Sequence, residues 1–129
     1  MKRITVNSSD EMIKAIESVS STCDKIWLLF TGSKDATGQS WCPDCVTAHP
    51  VIESCLSEYE KAHDGAEKVA FITVEIDRAD HKNLNNYYRT NKDIQLKCVP
   101  TLMLHGQLNM RLAEDNLTDP DLIDELLTL

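Results

Sequence analysis

Apolar residues recur along this chain with two periods, and the alternation between them predicts its elements. Ile4-Thr5-Val6 reads as a short strand. Ser8 and Glu11 have the spacing of a capping box, opening a helix with Met12, Ile13, Ile16 and Val19 on one face. Within Lys25 to Thr31 the run Ile26-Trp27-Leu28-Leu29-Phe30 is continuously apolar, as in a central strand covered on both faces. Gly32 to Ser40 is a loop by composition. From Pro43 to about His63 the pattern turns helical, with Val46, Val51, Ile52, Cys55, Leu56 and Tyr59 as core candidates and Pro50 expected to kink it.

Val69 to Ile76 is a second core strand, followed by a polar helix candidate around Leu84 to Asn91. Thr101-Leu102-Met103-Leu104 is a third core strand, and His105-Gly106-Gln107 turns into an edge strand from about Asn109 to Ala113. Asp119 and Pro120 have the residue types of a helix start, with Leu122, Ile123, Leu126 and Leu127 as the buried stripe. Strands alternating with helices before a closing hairpin predict an α/β fold, a central mixed β-sheet flanked by helices on both faces. A right-handed crossover then brings the chain before Cys42 to the carboxyl edge of the sheet, where ligand-facing chemistry gathers.

Length and charge narrow the function. The chain has 129 residues, which predicts a single domain spanning 1–129. Acidic residues outnumber Lys and Arg by 21 to 13, for a formal charge of -8, which disfavours nucleic acid and anionic membrane as partners. No stretch has the length and apolarity of a membrane span or a signal sequence. The five cysteines are an odd number, so they cannot all pair within the chain, and a cytoplasmic location is expected.

Among these cysteines, Cys42 and Cys45 stand three apart in Trp41-Cys42-Pro43-Asp44-Cys45, where a loop meets a helix. That spacing makes them neighbours on the first turn. Unpaired amides and the positive end of the helix dipole favour a thiolate at Cys42, and cysteines in this setting commonly titrate at ~3.5–7.5 instead of ~8.5. Cys42 is therefore the candidate nucleophile and Cys45 the resolving thiol. Pro43 suits the first helical position, where its missing N–H costs nothing. Asp44 favours the helix but opposes a neighbouring thiolate, and Trp41 is expected to form an apolar shoulder beside the sulfur.

Trp-Cys-x-x-Cys, then Pro50 inside the helix, then Val99-Pro100-Thr101 before a strand together resemble the thioredoxin superfamily. The resemblance implies a thioredoxin fold with a cis Pro100 facing Cys42, and the Val99 backbone available to pair with an extended substrate. Phe30-Thr31-Gly32-Ser33-Lys34-Asp35 and Ser40-Trp41-Cys42-Pro43-Asp44-Cys45 further resemble the 14-kDa thioredoxin-related protein (thioredoxin domain-containing protein 17) family. That family implies a cytosolic oxidoreductase with no bound cofactor, recharged by NADPH through thioredoxin reductase. Its implied substrates are small disulfides such as cystine, nitrosylated or persulfidated thiols, and some protein disulfides.

Ordinary thioredoxins carry Trp-Cys-Gly-Pro-Cys and a buried Asp on the preceding strand, where this chain has Leu29. Asp44 or water is the expected substitute. The long Gly32–Ser40 loop is expected to narrow access to the sulfur.

Two other readings compete. A zinc site built from Cys42, Cys45, His49 and Cys55 or Cys98 lacks a second Cys-x-x-Cys or a His-x-x-x-His, so no metal is expected. A thioredoxin-fold binding adaptor with redox-sensitive cysteines would have no need of two sulfurs. Cys23, Cys55 and Cys98 are expected to be small core residues, with Cys98 worth watching because it stands two residues before Pro100.

Overall fold

A computed structural model describes residues 1–63 and 68–129. Five strands form one sheet: β1 (Lys2–Val6), β2 (Lys25–Gly32), β3 (Val69–Ile76), β4 (Thr101–Leu104) and β5 (Arg111–Ala113). Their spatial order is β1-β3-β2-β4-β5. β1 and β2 run parallel to β3, while β4 is antiparallel to β2 and β5 to β4. The sheet is mixed, as the sequence predicts.

Side chains of β2 alternate between two cores. Ile26, Leu28 and Phe30 join Met12, Ala15 and Val19 of α1 (Ser9–Ser20) on one face. Trp27 and Leu29 join Ile52, Cys55 and Leu56 of α2 (Pro43–Ala62), and Ile123, Leu126 and Leu127 of α5 (Pro120–Leu127), on the other. Both faces of β2 are covered, which explains its unbroken apolar run.

Local caps set the helix starts. The Ser8 hydroxyl accepts from the Glu11 amide at 3.2 Å, and the Glu11 carboxylate accepts from the Asn7 amide at 3.1 Å. The return bond of this capping box thus goes one residue further back than the usual pattern. Asp119 caps α5 by accepting from the Asp121 amide at 3.0 Å, with Pro120 in the first turn.

Several expectations need correction. The polar helix around Leu84 to Asn91 is instead two short helices, α3 (Arg78–Lys82) and α4 (Tyr87–Thr90). Leu84 lies between them and is exposed; Asn83 and Asn86 terminate and cap the two helices with local side-chain bonds, a conformation that competes with a continuous helix. β5 is only three residues, and a 3-10 turn (Glu114–Thr118) follows it. Val46 and Ile13 are exposed, and Leu122 is only half-buried. On α2 the buried positions are Cys45, Ala48, Ile52, Cys55 and Leu56, a three-and-four spacing from which Val46 is rotated away. The helix runs on through Pro50, which is exposed.

Leu28 lies at the centre of the sheet and is 1% exposed. Leu28→Ala is expected to lower stability by about 2–5 kcal/mol in urea unfolding; a loss below about 1 kcal/mol would contradict this placement of the core.

Candidate functional site

Three segments meet at the carboxyl end of β2: the loop after it, the first turn of α2, and the segment leading into β4. Cys42 is the N-cap of α2, with extended backbone at φ -101° and ψ 109°. Its sulfur accepts a hydrogen bond from the Cys45 amide at 3.2 Å. A sulfur thus occupies the position that an Asp or Ser oxygen usually takes, satisfying one of the orphan amides of the helix. The same bond and the helix dipole favour negative charge on that sulfur.

Pro43 and Asp44 follow in the first turn, both exposed. The Cys42 thiol also points to the Val99 carbonyl at 3.7 Å. The Val99–Pro100 peptide is cis, as the resemblance implied.

Cys45 lies one turn below and is 4% exposed. Its sulfur accepts from the Gly32 amide at 3.4 Å. Burial, then the Cys42 sulfur, push the Cys45 thiol up to about 12, against opposing hydrogen bonds from Thr31 and Gly32. The two sulfurs are therefore unequal: one caps a helix, and the other is held as a neutral thiol inside.

The loop before the motif is a folded turn, which composition alone did not reveal. Lys34 pairs with Ser40 across it. The Asp35 carboxylate gathers the Thr37 hydroxyl, the Thr37 amide at 2.9 Å and the Gln39 amide at 3.2 Å, and these bonds hold it below the usual carboxylate range. Ser40 then donates to the Gly32 carbonyl at 2.9 Å and accepts from the Cys42 amide at 3.2 Å.

The Trp41 indole N–H donates to the Ile76 carbonyl at 2.8 Å, and its ring packs against His81 with centroids 5.5 Å apart. These two contacts fix the Trp41 ring at both ends. Gly32 is required by close approach: a Cβ there would stand 2.7 Å from Ser40 Oγ, 2.8 Å from the Trp41 ring and 2.9 Å from Cys42 Cβ.

Sequence reasoning missed the residues that fix the Val99–Pro100 segment. The Arg89 guanidinium donates to the His81 carbonyl at 2.9 and 3.0 Å and to the Lys97 carbonyl at 3.1 Å. It thereby clamps the segment before Val99 to the helix that carries the Trp41 partner. Thr101 donates to the Cys98 carbonyl at 2.8 Å, and the Glu114 amide donates to the Pro100 carbonyl at 2.9 Å. An arginine in a polar stretch carries no sequence signal for a backbone clamp.

Cys98 and Cys55 have environments of their own. Cys98 is half-buried, and burial, with Glu114 beside it, pushes its thiol up. Cys55 is buried against α5, and burial followed by Asp124 pushes it up to about 11. Among the described residues, no group of three or more His, Cys, Asp or Glu is placed to hold a metal ion, and no helix is long and apolar enough to cross a membrane.

Behind Cys45 lies a cavity of about 390 Å³, reaching from the loop to the sheet under α2. Leu29, Thr31 and Glu75 line it together with Cys45, His49 and Pro100. Asp44, which with water was one of two expected stand-ins for a buried carboxylate, is exposed and does not line it.

This geometry agrees with the comparisons to known proteins. The thioredoxin domain of the thioredoxin domain-containing protein 17-like family matches residues 5–129. The chain belongs to that family. It is 32% identical to human thioredoxin domain-containing protein 17 over 126 residues, covering 97% of this chain and 94% of that one. It is 33% identical to the thioredoxin-like protein Clot of Arabidopsis thaliana over 108 residues, 80% of this chain and 76% of that one. Thioredoxin NaTrxh of Nicotiana alata shares the fold, with a TM-score of 0.62 at 16% identity over 98% of this chain and 90% of that one. In this member of the thioredoxin domain-containing protein 17-like family, Cys42 and Cys45 thus sit on a thioredoxin fold at the start of its second helix.

Two outcomes follow from the packing around the sulfurs. Gly32→Ala is expected to cost about 1–3 kcal/mol in urea unfolding and to slow alkylation of Cys42; an unchanged midpoint with unchanged labelling would contradict the close approach. In the native protein at neutral pH, iodoacetamide is expected to label Cys42 well before Cys45, read by peptide mass mapping. Equal labelling would contradict the asymmetry between the two sulfurs.

Proposed function

We propose that this protein is a cytosolic dithiol–disulfide oxidoreductase working on small-molecule disulfides and selected protein disulfides. The observation that carries this reading is the Cys42 sulfur capping α2 at 3.2 Å from the Cys45 amide. A thiolate stabilised there attacks one sulfur of a substrate disulfide, forming a mixed disulfide and releasing the first substrate thiolate. Cys45 then loses its proton and attacks the Cys42 sulfur. This closes the Cys42–Cys45 disulfide and releases the second substrate thiolate. Two electrons return the pair to the dithiol, supplied in this reading by NADPH through thioredoxin reductase.

Site access supports a restricted substrate range. Cys42 is only 5% exposed, between the folded 34–40 loop and Val99. A small disulfide such as cystine, or a protruding loop, reaches such a sulfur more readily than a disulfide on a flat surface. Nitrosylated and persulfidated thiols belong to the same range, because each presents an electrophilic sulfur or nitroso group to a thiolate. In this reading Trp41 and Pro43 shape the opening, and the backbone at Val99 and Pro100 aligns an extended substrate.

With thioredoxin reductase and NADPH supplied, Cys42→Ser is expected to abolish turnover of cystine, insulin and nitrosylated glutathione alike. Cys45→Ser is expected to accumulate a mixed disulfide on Cys42, visible as an adduct in intact-mass spectrometry. Full turnover by Cys42→Ser would sink the reading and leave the fold as a binding adaptor.

A further inference from the structure

The second chemical step requires Cys45 to give up a proton, yet its thiol is buried and its surroundings hold it neutral. Somewhere near it a group must accept that proton. β2 carries no carboxylate there: Leu29 faces the cavity, and the next residue on that face is Thr31. The side chains of β3 that share this face are Val69, Phe71, Thr73 and Glu75, of which Phe71 pairs with Trp27, Thr73 with Leu29 and Glu75 with Thr31. Residues paired in this way lie about 4.8 Å apart across the sheet. Thr31 lines the cavity together with Cys45, and the half-buried Glu75, one strand spacing from Thr31, lines it too.

We propose that Glu75 accepts the Cys45 proton, through water in the cavity and past Thr31, as Cys45 closes on Cys42. The proposal rests on the oxidoreductase reading above and assigns the proton of its second step. The bond formed is Cys42–Cys45, the bond broken is Cys42 to substrate sulfur, the electron pair leaves on the substrate thiolate, and the proton passes from Cys45 to the Glu75 carboxylate.

The other charged or titratable groups lining the cavity are Lys34 from the loop, and His49 and Glu53 from α2. Lys34, as an ammonium, is a donor and not an acceptor. Glu53 is committed to Arg3 at 2.7 Å. His49 is exposed, one turn along the helix from Cys45, and serves as the control. The cavity, at about 390 Å³, has walls that are part polar and part apolar, and space for several waters at roughly 30 Å³ each.

An aromatic disulfide that releases one coloured thiolate at each step separates the two reactions in a stopped-flow instrument. The full-length protein is compared with Glu75→Gln, Glu75→Asp and His49→Gln, each checked for an unchanged unfolding midpoint. The first release reports attack by Cys42, and its absence in the unmodified protein would remove the oxidoreductase reading itself. The second release reports closure by Cys45.

Glu75→Gln is expected to slow the second release about tenfold, the low end for loss of a general base, with the first changed less than about twofold. Its second-step rate is expected to climb about tenfold per pH unit over roughly pH 6 to 9, as hydroxide takes over, where the unmodified protein is flatter. Glu75→Asp is expected to recover part of the rate and of the flatter profile. An unchanged second release and pH profile in Glu75→Gln, equal slowing of both steps, or the same effect from His49→Gln would each overturn the proposal.

Discussion

A sulfur occupying a helix N-cap is the contact on which the rest of this molecule turns. The first amides of any helix need acceptors, and here Cys42 provides one while the motif proline removes the need for another. Folding and chemistry therefore use the same bond. The helix start is completed by the group that the proposed chemistry uses as its nucleophile. The surrounding packing holds this geometry: Ser40 ties the Cys42 amide to the end of β2, Gly32 lets Trp41 and Cys42 lie directly on the strand, and Val99 closes the far side.

The face of the sheet under α2 changes character along its length. Trp27 and Phe71 are core residues, Leu29 and Thr73 lie at the boundary, and Thr31 and Glu75 are polar. The hydrophobic core ends where the chemistry begins. Burial is retained around Cys45, where it keeps the thiol neutral, while the cavity beyond brings polar side chains, Glu75 among them, to the same face. Two otherwise identical side chains thus have unequal environments, one sulfur capping a helix and the other held neutral within.

A similar division of labour holds on the Pro100 side. The cis Val99–Pro100 peptide is placed by groups from three elements: Arg89 of α4, Thr101 of β4 and Glu114 after β5. Trp41 joins the same assembly through His81, whose carbonyl Arg89 also grips. The two walls of the sulfur opening are thus mechanically connected through one guanidinium. Arginine suits this role because its planar fork reaches several carbonyls at once and remains charged at any working pH.

The sequence by itself determined the strands of the central sheet, the long helix behind the dithiol, the capped starts of the first and last helices and the residues of the redox motif. Each depends on a short-range pattern: an apolar run, a three-and-four spacing, a cap residue at a fixed offset. The helix expected around Leu84 to Asn91 does not form as one element, because asparagine side chains bonding their own backbone break a helix that residue spacing alone suggests. Only the tertiary structure decided that Arg89 clamps the approach to Pro100, that the 34–40 loop is folded around Asp35, and that Glu75 and not Asp44 lines the cavity behind Cys45. Those facts follow from strand pairing between Thr31 and Glu75 and from contacts between segments far apart in the chain. Local patterns set which elements form; which polar side chains they bring together depends on the register and packing of distant segments.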